Sequence, residues 1–200
     1  MVIVWQIVAM FVDGFDGMLA RWFHVHDYAR GLDGGLMDNI IDYINYVLVA
    51  ALLLVKWPEL MPSGFALAAA CSILLTSAYQ FTQVDAKTDD RSYFFKGFPS
   101  VWNILVFYLI LVGLNPWLNL LIVILCDILV FVPIKFVYPT RNTRLRKLTL
   151  ALTILYLLLC TWGLLQYPDV PKWVVWISLL YIVYYTVLSV FPRLGETRMA

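Results

Sequence analysis

The chain has 200 residues, of which 62% are hydrophobic and 14% charged, with a net charge of +1 and a mean hydropathy of +0.82. That balance excludes an ordinary water-soluble globular domain, and no nucleic-acid partner is expected. The apolar residues fall in runs close to the ~20 needed to cross a bilayer as a helix, without β-barrel alternation, which predicts an all-α integral membrane protein.

Seven spans are predicted, at about 2–21, 36–56, 63–83, 100–114, 118–137, 148–166 and 173–191. Pro58 and Pro62, Asn115 and Pro116, Pro139, and Pro168 and Pro171 punctuate the connections between them. Only eleven residues separate Met1 from Asp13, so an amino-terminal span is expected to be missing from this bundle. No cleavable signal peptide is expected, because the first run leads directly into acidic residues. Cys71, Cys126 and Cys160 sit in apolar runs without metal-ligand spacing and read as packing residues. With no internal repeat or polar tract, residues 1–200 read as one membrane domain.

Threading the spans alternately places twelve of the fourteen lysines and arginines on one face, leaving only Lys56 and Lys172 on the other. The positive-inside bias makes the richer face cytoplasmic, with the carboxyl terminus inside.

The chemistry concentrates in residues 12–42. Asp13, Asp16, Gly17 and Ala20 recur at i, i+3, i+4 and i+7, and Gly34, Asp38 and Asp42 recur every four residues. Each set falls on one helix stripe, and small residues let two such stripes approach closely. Four carboxylates near one membrane boundary call for hard divalent cations, Mn2+ or Mg2+, and so for phosphate substrates. Capping of helix ends at a wet interface would explain one such aspartate, but not four on apolar helices where ionisable groups are costly.

These residues resemble the signature of the CDP-alcohol phosphatidyltransferase family: Asp13-x-x-Asp16-Gly17-x-x-Ala20-Arg21, a spacer, then Gly34-x-x-x-Asp38-x-x-x-Asp42. The resemblance implies that Asp13, Asp16, Asp38 and Asp42 hold the metal, with Asp42 also the general base. Asp16, Gly17, Ala20, Arg21 and Gly34 would lie against the CDP moiety. The twelve-residue spacer between Arg21 and Gly34 is longer than is usual in the family. It is similar to that of the phosphatidylcholine synthase branch, as are Asp85-Ala86-Lys87-Thr88 leading to Gly97-Phe98-Pro99-Ser100-Val101-Trp102-Asn103, and Val132-Pro133 leading to Val137-Tyr138-Pro139. The resemblance runs from about residue 12 to about residue 147. It implies transfer of a phosphatidyl group from CDP-diacylglycerol to choline, releasing CMP at the cytoplasmic side of a bacterial inner membrane, by a chain that forms homodimers.

Other residues carry weaker expectations. A quaternary ammonium is commonly held by aromatic faces, so Tyr79, Tyr93, Phe94, Phe95, Phe98 and Trp102 are choline-binding candidates, against the alternative of an interfacial aromatic belt. Arg141 and Arg144 are candidates for the lipid phosphate, against simple positive-inside bias. His24 and His26 read as solvated loop residues or as proton carriers. Asp127 lies mid-span, where an unpaired carboxyl is costly, and no partner for it is evident in the sequence. Serine, glycerol phosphate or inositol phosphate are the alternative acceptors. A cation transporter or channel is the alternative of another class, and predicts polar residues continuing through several spans.

Overall fold

In the computed structural model, which describes residues 2–83, 94–132, 135–137, 145–167 and 169–190, the first apolar run is one helix, α1 (Val2–Trp22). Arg21 in its last turn complements the negative end of the helix dipole. A short helix, α2 (Val25–Tyr28), occupies the long spacer, and α3 (Gly34–Lys56) follows. Asp33 caps α3, its carboxylate accepting the Leu36 amide hydrogen bond at 3.0 Å. Of the helices among the described residues, α3 is the one long and apolar enough by itself to cross a membrane, with 23 residues.

The remaining helices are α4 (Ala66–Thr82), α5 (Trp102–Val112), α6 (Pro116–Phe131), α7 (Arg146–Leu165) and α8 (Lys172–Val190). Around α3, residues Val47, Ala50 and Leu54 pack with Ile73 of α4, Trp102 and Val106 of α5, and Val123 of α6 in one core. Alanines at 50, 51, 69 and 70 are buried, which lets α3 and α4 approach closely. A second cluster joins α5 to the α7–α8 pair through Tyr108, Tyr156 and Val175. Hydroxyl contacts of 2.8 Å, Thr149 with Tyr184 and Thr153 with Tyr181, tie α7 to α8. Leu67, Leu75, Leu158, Leu165, Trp176 and Leu180 are all more than three-fifths exposed, as a bilayer-facing surface requires.

Two predicted spans differ from what is found. The span expected at 118–137 ends as helix at Phe131, because Pro133 favours extended backbone at Val132. Beyond it, β2 (Lys135–Val137) pairs antiparallel with β1 (Phe94–Lys96), with Lys96 opposite Lys135. The span expected at 100–114 has only eleven helical residues, about 16 Å at the rise of an α-helix. Residues 97–101 before it are non-helical but enclosed by protein, where irregular backbone is tolerated at membrane depth. Several of their polar groups are paired: the Phe98 amide donates to the Leu129 carbonyl at 3.0 Å, and Gln80 Nε2 donates to the Phe98 carbonyl at 2.6 Å. Ser100 Oγ donates to Gln80 Oε1. Gly97 has φ of +84°, and a Cβ there would sit 2.3 Å from the Val130 carbonyl oxygen, so only glycine fits. Segments separate in sequence thus meet beside α4: β1 pairs with β2, and Gly97 and Phe98 lie against Leu129 and Val130.

Asp127 has its partners. It is buried on α6, accepting from Ser72 Oγ at 2.5 Å and from Thr76 Oγ1 at 2.7 Å, both one turn apart on α4. Hydrogen bonds to a charged group contribute about 1.5–3 kcal/mol. Asp127→Ala is therefore expected to lower the unfolding free energy in detergent by about 1–3 kcal/mol, and Asp127→Asn by less, because the amide keeps one acceptor. Equal denaturation midpoints for wild type and Asp127→Ala would show that this clamp carries no energetic weight.

Candidate active site

The two motif helices meet at their acidic faces. Asp13 of α1 and Asp38 and Asp42 of α3 each offer one carboxylate oxygen within 4.8 Å of the others, and all three residues are half-buried. The i, i+4 spacing of Asp38 and Asp42 stacks them on one face of α3, and α1 packs against α3 near its π turn. Three carboxylate oxygens so placed form a hard, anionic donor set with positions open to further ligands, which fits Mg2+ or Mn2+.

Asp16, expected as a fourth ligand, is half-buried but lies outside this group of three. Its position, three residues beyond Asp13, shifts it about 4.5 Å along the α1 axis. Gly17 is half-buried, and a Cβ placed on it would lie 3.5 Å from Arg21 Nη1, so the guanidinium folds back over the glycine. Ala20, Arg21 and Gly34 are exposed, and no heavy atom lies within 4 Å of where a Gly34 Cβ would be. This side of the aspartates is thus lined by small residues and one exposed guanidinium.

His24 and His26 are exposed in the spacer, with His24 in the left-handed region at φ of 52°. The aromatic candidates separate. Trp102 is fully buried, donates its indole hydrogen to Ser77 Oγ at 2.7 Å, and stands edge-on to Phe98 at 5.1 Å. With no exposed ring face, it is a core residue and not an open choline contact. Tyr79 is half-exposed and lies against Phe131 at 5.2 Å. Phe94 and Phe95 belong to β1, while Tyr93, Arg141 and Arg144 lie outside the described residues.

Tyr46 escaped the sequence reading. Its hydroxyl donates to Asp13 Oδ2 at 2.7 Å, joining α3 to α1 beside the acidic group. The signal was present in the spacing, since Tyr46 follows Asp38 and Asp42 at the same four-residue interval.

A family model described as CDP-alcohol phosphatidyltransferase matches residues 1–128, which include all four motif aspartates. The chain belongs to the CDP-alcohol phosphatidyltransferase family. Among curated members of that family, it is 37% identical over 190 residues to a phosphatidylcholine synthase of Legionella pneumophila, covering 92% of this chain and 74% of that protein. It is 35% identical over 187 residues to one from Borreliella burgdorferi, covering 92% and 79%. A third, from Rhizobium meliloti, is 36% identical over 197 residues, covering 96% and 80%. These matches extend beyond the family model into the last two helices, for which the sequence motifs carried no assignment.

Packing does not require Gly17 to be small, since the end of the Arg21 side chain is the one group within 4 Å of where its Cβ would lie, and the motif resemblance expects the CDP moiety in that space. Gly17→Ala should then leave folding intact or slightly improved, alanine being the better helix former by about 1 kcal/mol. An added methyl against a tightly bound ligand costs about 1–3 kcal/mol, so the KM for the CDP-lipid should rise about tenfold to hundredfold. An unchanged KM would mean that the CDP moiety does not lie on this stripe.

Proposed function

We propose that this chain is a phosphatidylcholine synthase that transfers the phosphatidyl group of CDP-diacylglycerol to choline and releases CMP. The observation that carries the reading is the convergence of Asp13, Asp38 and Asp42 on a motif whose spacing matches the family, in a chain over a third identical to several phosphatidylcholine synthases.

In this reading, Asp13, Asp38 and Asp42 hold the divalent ion or ions, with Asp16 joining when substrate is bound. When bound, Mg2+ or Mn2+ offsets the charge of the diphosphate and of the departing CMP. Gly17, Ala20 and Gly34 leave room for the CDP moiety, and Arg21 swings from Gly17 onto its phosphates. Arg141 and Arg144 meet the lipid phosphate while the acyl chains stay in the bilayer. Choline enters from the cytoplasmic side, held by aromatic faces among Tyr79, Tyr93, Phe94, Phe95 and Phe98. The Asp42 carboxylate takes the hydroxyl proton as the choline oxygen attacks the phosphorus bearing diacylglycerol. The bond from that phosphorus to the oxygen bridging to CMP breaks, and CMP departs with the bridging oxygen. The enzyme works in a bacterial inner membrane as a homodimer.

Detergent-purified protein given CDP-diacylglycerol and separate alcohols tests this directly, with CMP as the readout. Choline should support turnover, while serine, glycerol phosphate and inositol phosphate should support little. Chelation should abolish CMP release, and Mg2+ or Mn2+ should restore it. Asp42→Asn should lower kcat by about 10²–10⁴-fold, the usual contribution of a general base. Preference for serine would overturn the acceptor assignment, and near wild-type turnover of Asp42→Asn would overturn the base.

A further inference from the structure

The Tyr46 hydroxyl plays no part in the chemistry described above, yet it donates to Asp13 Oδ2 at 2.7 Å in a half-buried setting. Residue 46 sits within the π turn Tyr43–Leu48, which begins immediately after Asp42 and is marked by the Val49 amide donating five residues back to the Ile44 carbonyl. A four-residue repeat on a regular α-helix drifts about 40° per step, so a third member after Asp38 and Asp42 would turn away from the acidic face. A π turn rotates less per residue and offsets that drift, and such insertions are frequent at functional sites. The local backbone departure thus puts a hydroxyl donor over the carboxylate that arrives from the other helix.

We propose that Tyr46 is a positioning residue that holds the Asp13 carboxylate in orientation for the metal. A carboxylate that accepts one hydrogen bond at Oδ2 keeps its other oxygen for a cation, and its rotamer no longer has to be fixed when the ion binds. Partners one step removed from a metal orient its ligands and commonly alter affinity by about 10–100-fold. Asp13 needs such help more than Asp38 or Asp42, because it comes from α1 while the other two share the rigid face of α3. The Tyr46 bond is therefore also what registers α1 against α3 at the site. The inference rests on the metal reading above.

The test is Mn2+ titration of purified protein followed by electron paramagnetic resonance, without substrate, at matched folded protein. Tyr46→Phe keeps the ring and removes only the hydroxyl. It should weaken Mn2+ binding about 10–100-fold, and raising Mn2+ should restore most of kcat without changing the KM for choline. Tyr43→Phe is the control: its hydroxyl, one turn earlier, donates to the Leu74 carbonyl at 2.9 Å and touches no aspartate, so Mn2+ affinity should stay as in wild type. Equal affinity in wild type and Tyr46→Phe would overturn the positioning role while leaving the metal site standing. Equal weakening by both tyrosine variants would also overturn it, since the effect would then be general loosening of the helix. Mn2+ binding that survives Asp13→Asn and Asp38→Asn together would overturn the metal site and this inference with it.

Discussion

The mutual repulsion of Asp13, Asp38 and Asp42 is the constraint on which the site depends. Two like charges about 4 Å apart repel by about 4 kcal/mol at the effective dielectric of a protein near its surface, and three carboxylates make three such pairs. Apolar helices do not gather acidic side chains at that expense without a compensating positive charge. The contact of α1 with the π turn of α3 and the Tyr46 hydroxyl on Asp13 accompany three oxygens within 4.8 Å of one another. A divalent cation converts the same repulsion into binding energy, and leaves coordination positions for phosphate oxygens.

The rest of the bundle supplies rigidity behind that group. The π turn that carries Tyr46 also carries Val47, which is fully buried against the core shared by α4, α5 and α6. Behind it, polar side chains on α4 do the joining: Ser72 and Thr76 grip Asp127 of α6, Ser77 takes the Trp102 indole, and Gln80 secures the buried segment before α5. In a bilayer, where hydrophobic attraction between helices is weak, such hydrogen bonds and small-residue contacts are what set one packing. The helix bearing two of the aspartates thus rests, through Val47, on a core whose other helices are locked by polar contacts.

Much of this was legible from residue order. Hydropathy located the helices to within a few residues, and the spacing of the aspartates placed Asp13, Asp38 and Asp42 on faces that do meet. The exceptions have local causes. Pro133 turns Val132 to extended backbone and cuts the expected span at 118–137 short, an effect that a window of apolar residues averages away. Trp102 lies in an aromatic-rich stretch that suggested an open cation site, but Ser77, twenty-five residues away, takes its polar edge into the core. The partners of Asp127 sit fifty-five and fifty-one residues earlier, at Ser72 and Thr76, where nothing in the local pattern points to it. The π turn in Tyr43–Leu48 has no compositional mark, and without it the four-residue interval to Tyr46 reads as drift off the face.

Whether the three aspartates form a cation site is read from anomalous scattering of crystals grown with Mn2+. A manganese peak is expected within coordination distance of carboxylate oxygens of Asp13, Asp38 and Asp42, with Tyr46 still bonded to Asp13. A peak elsewhere in the bundle, or no peak at a Mn2+ concentration that supports full turnover, would contradict it.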